Sequence, residues 1–306
     1  MDLKNFTKQD FFLKDNIPRF VDSEKYTAAF GLQWNKYKTI QLDSVNKTNM
    51  SEDRVRSALP IPLESIKGLK VIEAGSGAGR FTEILLKYGA LVYSFDLSDA
   101  VSANYTNNMP HRNLTIFQGD IEDIPFEDNF FDISLCLGVM QHTRDFSCSL
   151  KELARVTKDS GIITFDHYKK HIGHYTSLYL VYWAIIKRLP KNFQFKVTNF
   201  LTRLFFPLHW YLRDYSIIQY LLRRISPISF YYGMLDQHPS TRKNKSDIRS
   251  KNEHFELSLQ ETHDKNTDHY KRMLTKKQLN KAVYKFNFKK VDIFDGGTGL
   301  QCIITK

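Results

Sequence analysis

Apolar and polar positions along the middle of the chain fall into blocks that predict strands followed by helices. The apolar runs LKVIEAG, ALVYSFDLS, LTIFQGD, FFDISLCLGV and GIITFDHY each predict a buried strand. Segments between them, such as GRFTEILLKYGA, space apolar residues three and four positions apart, as on one face of a helix. This alternation predicts an α/β fold with a doubly wound, mostly parallel sheet.

The pattern of apolar and polar positions divides the chain into four parts. Residues 1–68 predict a mainly helical lead-in, and residues 69–170 hold the five strands of the core. Residues 171–255 form a helical insertion, after which residues 256–306 return to complete the core. In this last part LTKKQLNKAVYKFNF predicts a helix with Thr275 as its N-cap, and KKVDIFDGG with LQCIITK predicts an antiparallel hairpin.

The insertion differs from the core in composition. Residues 171–232 hold 16 of the 42 aromatic residues, and their eight Lys and Arg residues face one acid, Asp214. Such a segment suits a lid over an acceptor site, and basic aromatic helices also lie well on membrane surfaces. A structural subdomain or a dimer surface is the third interpretation, and the sequence leaves the oligomeric state open.

Composition narrows the class of protein. The 306 residues are 42% hydrophobic, so a sizeable core is expected, and the net charge of +11 favours an anionic partner. The longest apolar run, Tyr175–Ile186, is too short to cross a bilayer, and the N-terminal residues lack the apolar core of a secretory signal. We expect a cytoplasmic protein, with contact to the inner face of the membrane through residues 171–232 as an open alternative. No metal site is expected from the spacing of the three cysteines.

Candidate chemistry begins at the segment VIEAGSGAGR, between the first predicted core strand and its helix. Its glycines are spaced G-x-G-x-G, and Arg80 stands where a dinucleotide-binding loop has its third glycine. Glu73 precedes the first glycine, and a carboxylate there suits a cation better than a phosphate. S-adenosylmethionine (SAM) carries a sulfonium and an ammonium group and has no phosphate.

Two more acids follow at strand ends. Asp96 ends the second core strand 21 residues after Gly75, where an acid can accept both ribose hydroxyl protons of NAD or SAM. Asp120 follows the third strand, where its carboxylate can reach an adenine amino group.

With these motifs the sequence resembles the class I SAM-dependent methyltransferases, in particular methyltransferase domains of the type 11 kind. The stretches that carry the resemblance are VIEAGSGAGRFTE, YSFDLSDAV, FQGDIEDIPFEDNFFD and LCLGVMQHTRD. It implies a seven-stranded, Rossmann-like sheet with SAM across the C-terminal strand edges. One departure is EAGSGAGR, where many relatives have D-x-G-C-G, although Glu and Ser keep the polarity.

The resemblance assigns roles to individual residues. Glycines and Glu73 would shape the loop, Asp96 would bind the ribose, and Asp120 with Ile121 would bind the adenine. The predicted cofactor contacts are Glu73, Gly75, Ser76, Gly77, Gly79, Arg80, Asp96, Leu97, Asp120, Ile121, Leu137, Gly138 and Gln141. The last three would line the methionine end.

The acceptor side is defined less well. His142, just past the fourth core strand, is the candidate general base, because a hydroxyl acceptor benefits from one. His167 and Tyr168 follow the fifth strand at the same edge, and Trp34 could close over the cofactor or pack structurally. A narrower resemblance, to bacterial methyltransferases of surface-glycan or secondary-metabolite clusters, adds Asp268 and Tyr270 as substrate contacts.

The sequence therefore predicts methyl transfer from SAM to a small-molecule or glycan acceptor, with oxygen as the favoured atom. A lipid-linked or quinone-type acceptor at the membrane surface is the main alternative. A basic RNA-binding protein, an NAD-dependent oxidoreductase and a SAM-binding regulatory subunit are the other hypotheses. The absence of an N-P-P-Y tetrad after the fourth core strand argues against methylation of DNA base amino groups, and a nucleic-acid partner is disfavoured.

Overall fold

The computed structural model describes residues 10–21, 28–170, 177–230 and 250–306. The chain divides into two compact units. The first combines Met1–Lys169 with Tyr270–Lys306, and the second is Lys170–His269.

The first unit is built on one mixed sheet of nine described strands. The strands are β1 (Phe12–Lys14), β2 (Ile17–Arg19), β3 (Lys70–Ala74), β4 (Leu91–Asp96), β5 (Leu114–Gln118), β6 (Phe131–Cys136), β7 (Thr157–Tyr168), β8 (Lys290–Gly296) and β9 (Gly299–Thr305). Their order across the sheet is β1-β2-β5-β4-β3-β6-β7-β9-β8. The five central strands run parallel, and β1 with β2 and β7-β9-β8 form antiparallel edges.

Helices cover the sheet and form the second unit. They are α1 (Ala28–Lys36), α2 (Asp43–Asn46), α3 (Met50–Ala58), α4 (Arg80–Lys87), α5 (Val101–Asn108), α6 (Phe146–Val156), α7 (Tyr179–Ile186), α8 (Lys191–Tyr211), α9 (Ser216–Ile225), α10 (Lys251–Thr267) and α11 (Lys276–Tyr284). Short 3₁₀ helices occupy Leu63–Ile66 and Met140–His142. Side chains of the parallel strands contribute to two separate buried clusters, as expected for strands covered on both faces.

The parallel register brings several loops to one edge. Ala74 pairs with Phe95 in β4, and Cys136 pairs with Phe165 in β7, so these strands end at nearly the same level. Ligands of open α/β sheets bind outside this carboxyl edge. The segments that follow β3, β4, β6 and β7 are therefore the ones that can form a site.

The prediction of seven strands is wrong by two. The extra pair, β1 and β2, lies in the lead-in that the sequence predicts to be mainly helical, and Arg19 of β2 pairs with Gln118 of β5. The three helices α1 to α3 account for the helical part of that prediction. Strands of three residues are too short to leave a clear alternating pattern in the sequence. The hairpin β8–β9 and the cap of α11 agree with prediction, and Thr275 forms a capping box with Gln278.

The second unit is helical, with a small aromatic core of its own. Phe206, Ile228 and Phe230 are buried there, and Phe255 of α10 packs against them. The division predicted between residues 255 and 256 falls inside α10, which the sequence did not distinguish as a helix. Across the described residues, no helix is both long and apolar enough to cross a membrane.

Candidate active site

The glycine loop between β3 and α4 turns back on the neighbouring strand. Gly75, Gly77 and Gly79 have φ angles of 76°, 52° and 86°, in the left-handed region that glycine adopts without strain. The backbone N–H groups of Gly75 and Ser76 both donate to the carbonyl of Phe95, at 2.8 and 2.9 Å. The loop is thereby fixed to the end of β4.

Neighbouring side chains leave no room for a Cβ on these glycines. A Cβ at Gly75 would collide with Val139, and one at Gly79 would collide with Asn104. At Gly77 it would lie 3.2 Å from the indole of Trp34, which is half-buried. The predicted Trp34 is therefore placed against the loop. Arg80 starts α4, with its guanidinium 4.3 Å from the ring centre of Phe81.

Asp96 joins the glycine loop to the segment after β4. Its Oδ2 accepts from the Gly77 N–H at 3.0 Å, and its Oδ1 accepts from both the backbone N–H and the hydroxyl of Ser98. Burial raises the pKa of this carboxyl, and these hydrogen bonds oppose the increase. A carboxylate has about four lone-pair positions, so room remains on Oδ2 for about one further donor. The Ser98 hydroxyl donates to Asp96 and accepts from the Ala100 N–H. Ala100 is the residue that immediately precedes α5.

Glu73 faces the interior behind the loop. Its Oε2 accepts from the hydroxyl of Thr82 and from that of Ser94, the latter at 2.9 Å. Asn104 donates to the same two hydroxyl oxygens, which extends the network into α5. Oε1 has no hydrogen-bond partner within the described part of the chain. Burial raises the pKa of Glu73 to about 7, so the carboxyl is partly protonated near neutral pH.

The segment after β5 carries the predicted adenine contacts. Asp120 is buried and accepts from the Glu122 N–H at 2.9 Å, and its other oxygen is paired with Arg144. Ile121 is buried in the core cluster. Leu97, after β4, holds the side chain of Gln118 through its carbonyl at 2.8 Å. The sequence had assigned no role to Arg144.

Two polar side chains next to the loops are buried without partners. The two amide atoms of Gln141 have no hydrogen-bond partner among residues 10–21, 28–170, 177–230 and 250–306. The same is true of the Ser76 hydroxyl in these ranges. A buried polar group that lacks a partner costs about 1 to 3 kcal/mol. Both side chains lie at the carboxyl edge of the sheet, where a polar ligand would supply the missing partners.

The loop after β6 is held by a carboxylate that the sequence did not single out. The Gly138 N–H donates to Oδ1 of Asp166 at 2.6 Å, and Gly138 has a φ of 77°. The second oxygen of Asp166, which is fully buried, is paired with Arg54 of α3. Burial lowers the pKa of Arg54 to about 9. Leu137, the residue before Gly138, is buried.

The predicted acceptor-side histidines lie together. The ring of His142 packs edge-on against Tyr168, with 5.4 Å between ring centres. His167 is buried, with Nδ1 3.1 Å from the carbonyl of Tyr168, and its Nε2 has no partner among the described residues. Burial lowers the pKa of His167 to about 4, so its ring is neutral at pH 7.

The segment that returns to the first unit at Tyr270 braces the 3₁₀ turn around His142. The Arg272 N–H donates to the carbonyl of Gln141 at 3.1 Å, and its guanidinium donates to the carbonyl of Thr143 at 2.9 Å. The same guanidinium lies 5.5 Å from the ring centre of Tyr270. Asp268, the other residue of that prediction, is buried in the second unit, where its carbonyl accepts from Trp183 at 2.8 Å.

The loops of the candidate site lie in a segment that matches a known protein family. Residues 72–165, which contain every loop described after β3, β4, β5 and β6, match the family model described as Methyltransferase domain. The chain carries a methyltransferase domain. The motifs inside the matched segment, namely the G-x-G-x-G loop and Asp96, are those from which the sequence predicts S-adenosylmethionine as the methyl donor.

Curated relatives of the methyltransferase domain are similar over part of their length. A ubiquinone biosynthesis O-methyltransferase from Coxiella burnetii is 30% identical over 132 residues, which are 42% of this chain and 56% of that protein. A demethylmenaquinone methyltransferase from Corynebacterium efficiens is 32% identical over 145 residues, which are 47% of this chain and 60% of that protein. The chain thus spans little more than half the length of the curated relatives it matches.

Among solved structures, the chain is similar to a provisionally assigned S-adenosyl-L-methionine-dependent methyltransferase from Methanococcus maripaludis. The aligned region covers 94% of this chain and 96% of that protein. Its TM-score is 0.47 and its sequence identity is 16%.

The residues of the domain fit its methyl donor. The space beside Gly75 and Gly77 is filled by Val139 and Trp34, so glycine at these positions lets the loop pack closely at the edge of the site. Gln141 and Ser76 offer unpartnered donors and acceptors for an amino-acid group, and Asp96 retains an acceptor position for a hydroxyl. Among the described residues, no group of three or more His, Cys, Asp and Glu side chains could hold a metal ion.

Proposed function

We propose that the chain is an enzyme that transfers a methyl group from SAM to an oxygen of a small-molecule acceptor. The observation that carries the proposal is the methyltransferase domain match, together with unpartnered buried polar atoms at Ser76 and Gln141. When bound, SAM supplies an electrophilic methyl group on its sulfonium sulfur. The protein then mainly has to position donor and acceptor for an in-line displacement.

Residues along the sheet edge divide the cofactor between them. Gln141 and Ser76 bind the amino and carboxyl groups of the methionine end, together with backbone groups at Leu137 and Gly138. Asp96 accepts a hydrogen bond from one ribose hydroxyl, because three of its about four lone-pair positions already accept from Gly77 and Ser98. The adenine lies by Leu97 and Ile121.

His142 is the proposed general base. Its 3₁₀ turn follows β6 at the carboxyl edge and is braced by Arg272 through the carbonyls of Gln141 and Thr143. His167 has a low pKa, so it is a weak base and is better suited to accept a hydrogen bond from the acceptor at Nε2. Tyr168, which contacts both rings, holds the pair in place.

Two curated relatives support a quinone-type acceptor, and a third supports an oxygen acceptor of another kind. The names of two curated relatives refer to ubiquinone biosynthesis and to demethylmenaquinone, and a third is a malonyl-[acyl-carrier protein] O-methyltransferase. A ring hydroxyl is acidic enough for a histidine to remove its proton as the methyl group transfers. A glycan hydroxyl is the second candidate acceptor.

Calorimetric titration of the full chain with SAM tests the donor half of the proposal. We expect Asp96→Asn to weaken binding by roughly tenfold to a hundredfold, because a charge-assisted hydrogen bond and the loop contact are lost together. The matched control is Asp159→Asn, the same change at an exposed position near the start of β7, which should leave affinity unchanged. Folded wild-type protein that binds no SAM would contradict the proposal.

Methyl transfer to a catechol-type phenol, followed by mass spectrometry, tests the acceptor half. His142→Ala should lower kcat by about a hundredfold or more while the Kd for SAM stays within a factor of about two. His111→Ala is the control, because that exposed histidine lies before β5. Equal loss in both variants would remove His142 from the proposed mechanism.

A further inference from the structure

The second unit exposes more large apolar side chains than the rest of the described chain. Fourteen of the twenty such side chains that are exposed among the described residues lie between Leu178 and Ile225. Single exposed apolar residues are ordinary on any protein, whereas a concentration on consecutive helices indicates an interaction surface.

The longest of these helices, α8, exposes an apolar side and buries a mostly polar one. Its outward side chains repeat at helical spacing and fall within an arc of about 80°. They are Phe193, Phe200, Leu204, Leu208 and Tyr211, each at least 43% exposed. The buried side chains on the opposite side are mostly polar, namely Gln194, Thr198, Thr202, Phe206 and His209.

The next helix, α9, continues this surface. The side chain of Gln219 binds α8, with Oε1 2.9 Å from His209 Nδ1 and its amide donating to the His209 carbonyl at 2.9 Å. Ile217, Leu221 and Ile225 lie four positions apart on the side away from Gln219, and are 76%, 58% and 54% exposed. Packing within the unit therefore leaves these three side chains in solvent.

The start of α7 adjoins the end of α9. The Leu178 N–H donates to the Arg224 carbonyl at 2.8 Å, and the Tyr182 hydroxyl donates to the Ile225 carbonyl at 3.2 Å. Val181 and Ile185, one helical turn apart, are 53% and 58% exposed. We call the exposed side chains of α7, α8 and α9 together the apolar face.

Charge on these helices is almost all of one sign. Residues 177–230 contain eight Lys and Arg residues and one acid, Asp214. On α8, Lys196 and Arg203 are exposed next to the apolar stripe. Four of the six acids among the described residues of the unit lie instead on α10, which packs on the buried side of α8 through Phe206 and Phe255. The partner of the apolar face should therefore be negatively charged and apolar together.

We propose that the apolar face docks onto an anionic lipid bilayer. Ile, Leu and Val side chains enter the acyl boundary, Tyr and Phe suit the interface, and Lys and Arg reach phosphate groups. A second copy of the chain would set cations against cations. Single-stranded RNA would use the aromatic rings and cations but gain little from Ile217, Leu221, Val181 and Ile185. Bilayer docking does not depend on the proposed methyl transfer.

Co-sedimentation of the full chain with lipid vesicles tests this inference. We expect the protein to pellet with vesicles of phosphatidylcholine containing 30% phosphatidylglycerol (roughly the anionic content of a bacterial membrane), and much less with phosphatidylcholine alone. Binding should weaken as salt rises from about 0.05 to 0.5 M, because surface charges are screened. No pelleting with the anionic vesicles at low salt would overturn the proposal.

Two sets of variants locate the surface. Ile217→Ser with Leu221→Ser and Ile225→Ser should lower the partition coefficient more than tenfold. Its matched control is Leu13→Ser with Val45→Ser and Tyr284→Ser, three exposed apolar residues of the first unit, which should bind normally.

The contribution of positive charge is tested by a second pair of variants. Arg188→Gln with Lys196→Gln should lower binding about tenfold, whereas Lys277→Gln with Lys281→Gln, on α11, should not.

Other outcomes would overturn the proposal. Equal binding by the α9 variant and its control would place the lipid contact elsewhere. A dimer in light scattering without lipid that the α9 variant abolishes would make the face a contact between copies. An RNA gel shift that the same variant abolishes would assign the face to nucleic acid.

Discussion

Glu73 is a carboxylate whose protonation is set by the fold around it. Its hydrogen bonds come from the hydroxyls of Thr82 and Ser94, and both are tied to Asn104. Burial outweighs these bonds and raises the pKa to about 7. The side chain therefore belongs to a buried hydrogen-bond network behind the glycine loop, and this network joins β3, β4, α4 and α5.

Glu73 should make stability depend on pH. Its folded pKa lies above the ordinary 4.5, so its stabilising contribution is complete below pH 4.5 and is lost as pH rises through about 7. Relative to Glu73→Gln, the wild type should lose about 2 kcal/mol of unfolding free energy between pH 5 and pH 8. Urea titrations of both proteins measure the difference, and parallel curves would contradict the raised pKa.

Gly75 and Gly68 provide a matched pair for the loop. Both have φ near 77°, yet a Cβ at Gly75 meets Val139, whereas one at Gly68 meets no atom within 4 Å. Each alanine variant should lose about 1 kcal/mol of stability from backbone strain. We expect only Gly75→Ala to weaken SAM binding, by tenfold or more, because the loop must move. Calorimetry checks this, and equal affinities would show that the loop tolerates the side chain.

At the scale of single residues, the sequence predicts motif positions better than partners. Asp96 and the glycines fall on the loops where the motif spacing places them. Arg144, Asp166 and Arg54 were missed, because their partners lie 24 and 112 positions away and no local pattern records such pairs. His142 and His167 could be named, but the low pKa of His167 depends on burial that only the fold supplies.

Among the elements, the hairpin β1–β2 is joined to the sheet by strand pairing and by one buried cation. The Arg19 guanidinium donates to Gln118 at 2.6 Å, to Asp99 at 2.8 Å and to Ser102 at 3.1 Å. Asp99 and Ser102 follow shortly after Asp96, the last residue of β4. The hairpin therefore supports the ribose side of the site from the edge of the sheet.

Removing that cation should release the hairpin. Arg19→Ala should cost about 2 kcal/mol, because the buried Gln118 and the partly buried Asp99 and Ser102 lose their donor. Lys14→Ala, on the same hairpin and 3.9 Å from Asp99, should cost less than about 0.5 kcal/mol, because the pair is exposed. Hydrogen exchange of residues 12–20 is the measurement. Unchanged protection in Arg19→Ala would show that strand pairing alone holds β1–β2.

Elements of the parallel core are predictable because each carries a long apolar run. β1 and β2 have three residues each, and their packing depends on Arg19 and a distant strand, so no local period marks them. Helix α10 is similarly hidden, because its buried positions include His254, Ser258, Gln260 and His263, which read as surface residues in the sequence.

For the whole molecule, ligand binding should register as stability. S-adenosylhomocysteine at about a hundred times its Kd should add about 2.7 kcal/mol, which corresponds to a rise in the apparent Tm of several degrees. NADH at the same concentration should give no shift, because Arg80 replaces the third glycine of a dinucleotide loop. Thermal scans compare the two, and a shift with NADH alone would favour an oxidoreductase.

The backbone bridge between Lys169 and Leu274 means that the chain leaves and re-enters the sheet edge at adjacent points, with the Leu274 N–H donating to the Tyr168 carbonyl at 3.0 Å. Domain insertions are tolerated at such sites, because the host fold closes with or without the guest. Lys170–His269 can therefore be exchanged as one block, with a junction at each end of the segment. The methyltransferase domain could thus be combined with a different second unit without altering a single residue of its glycine loop.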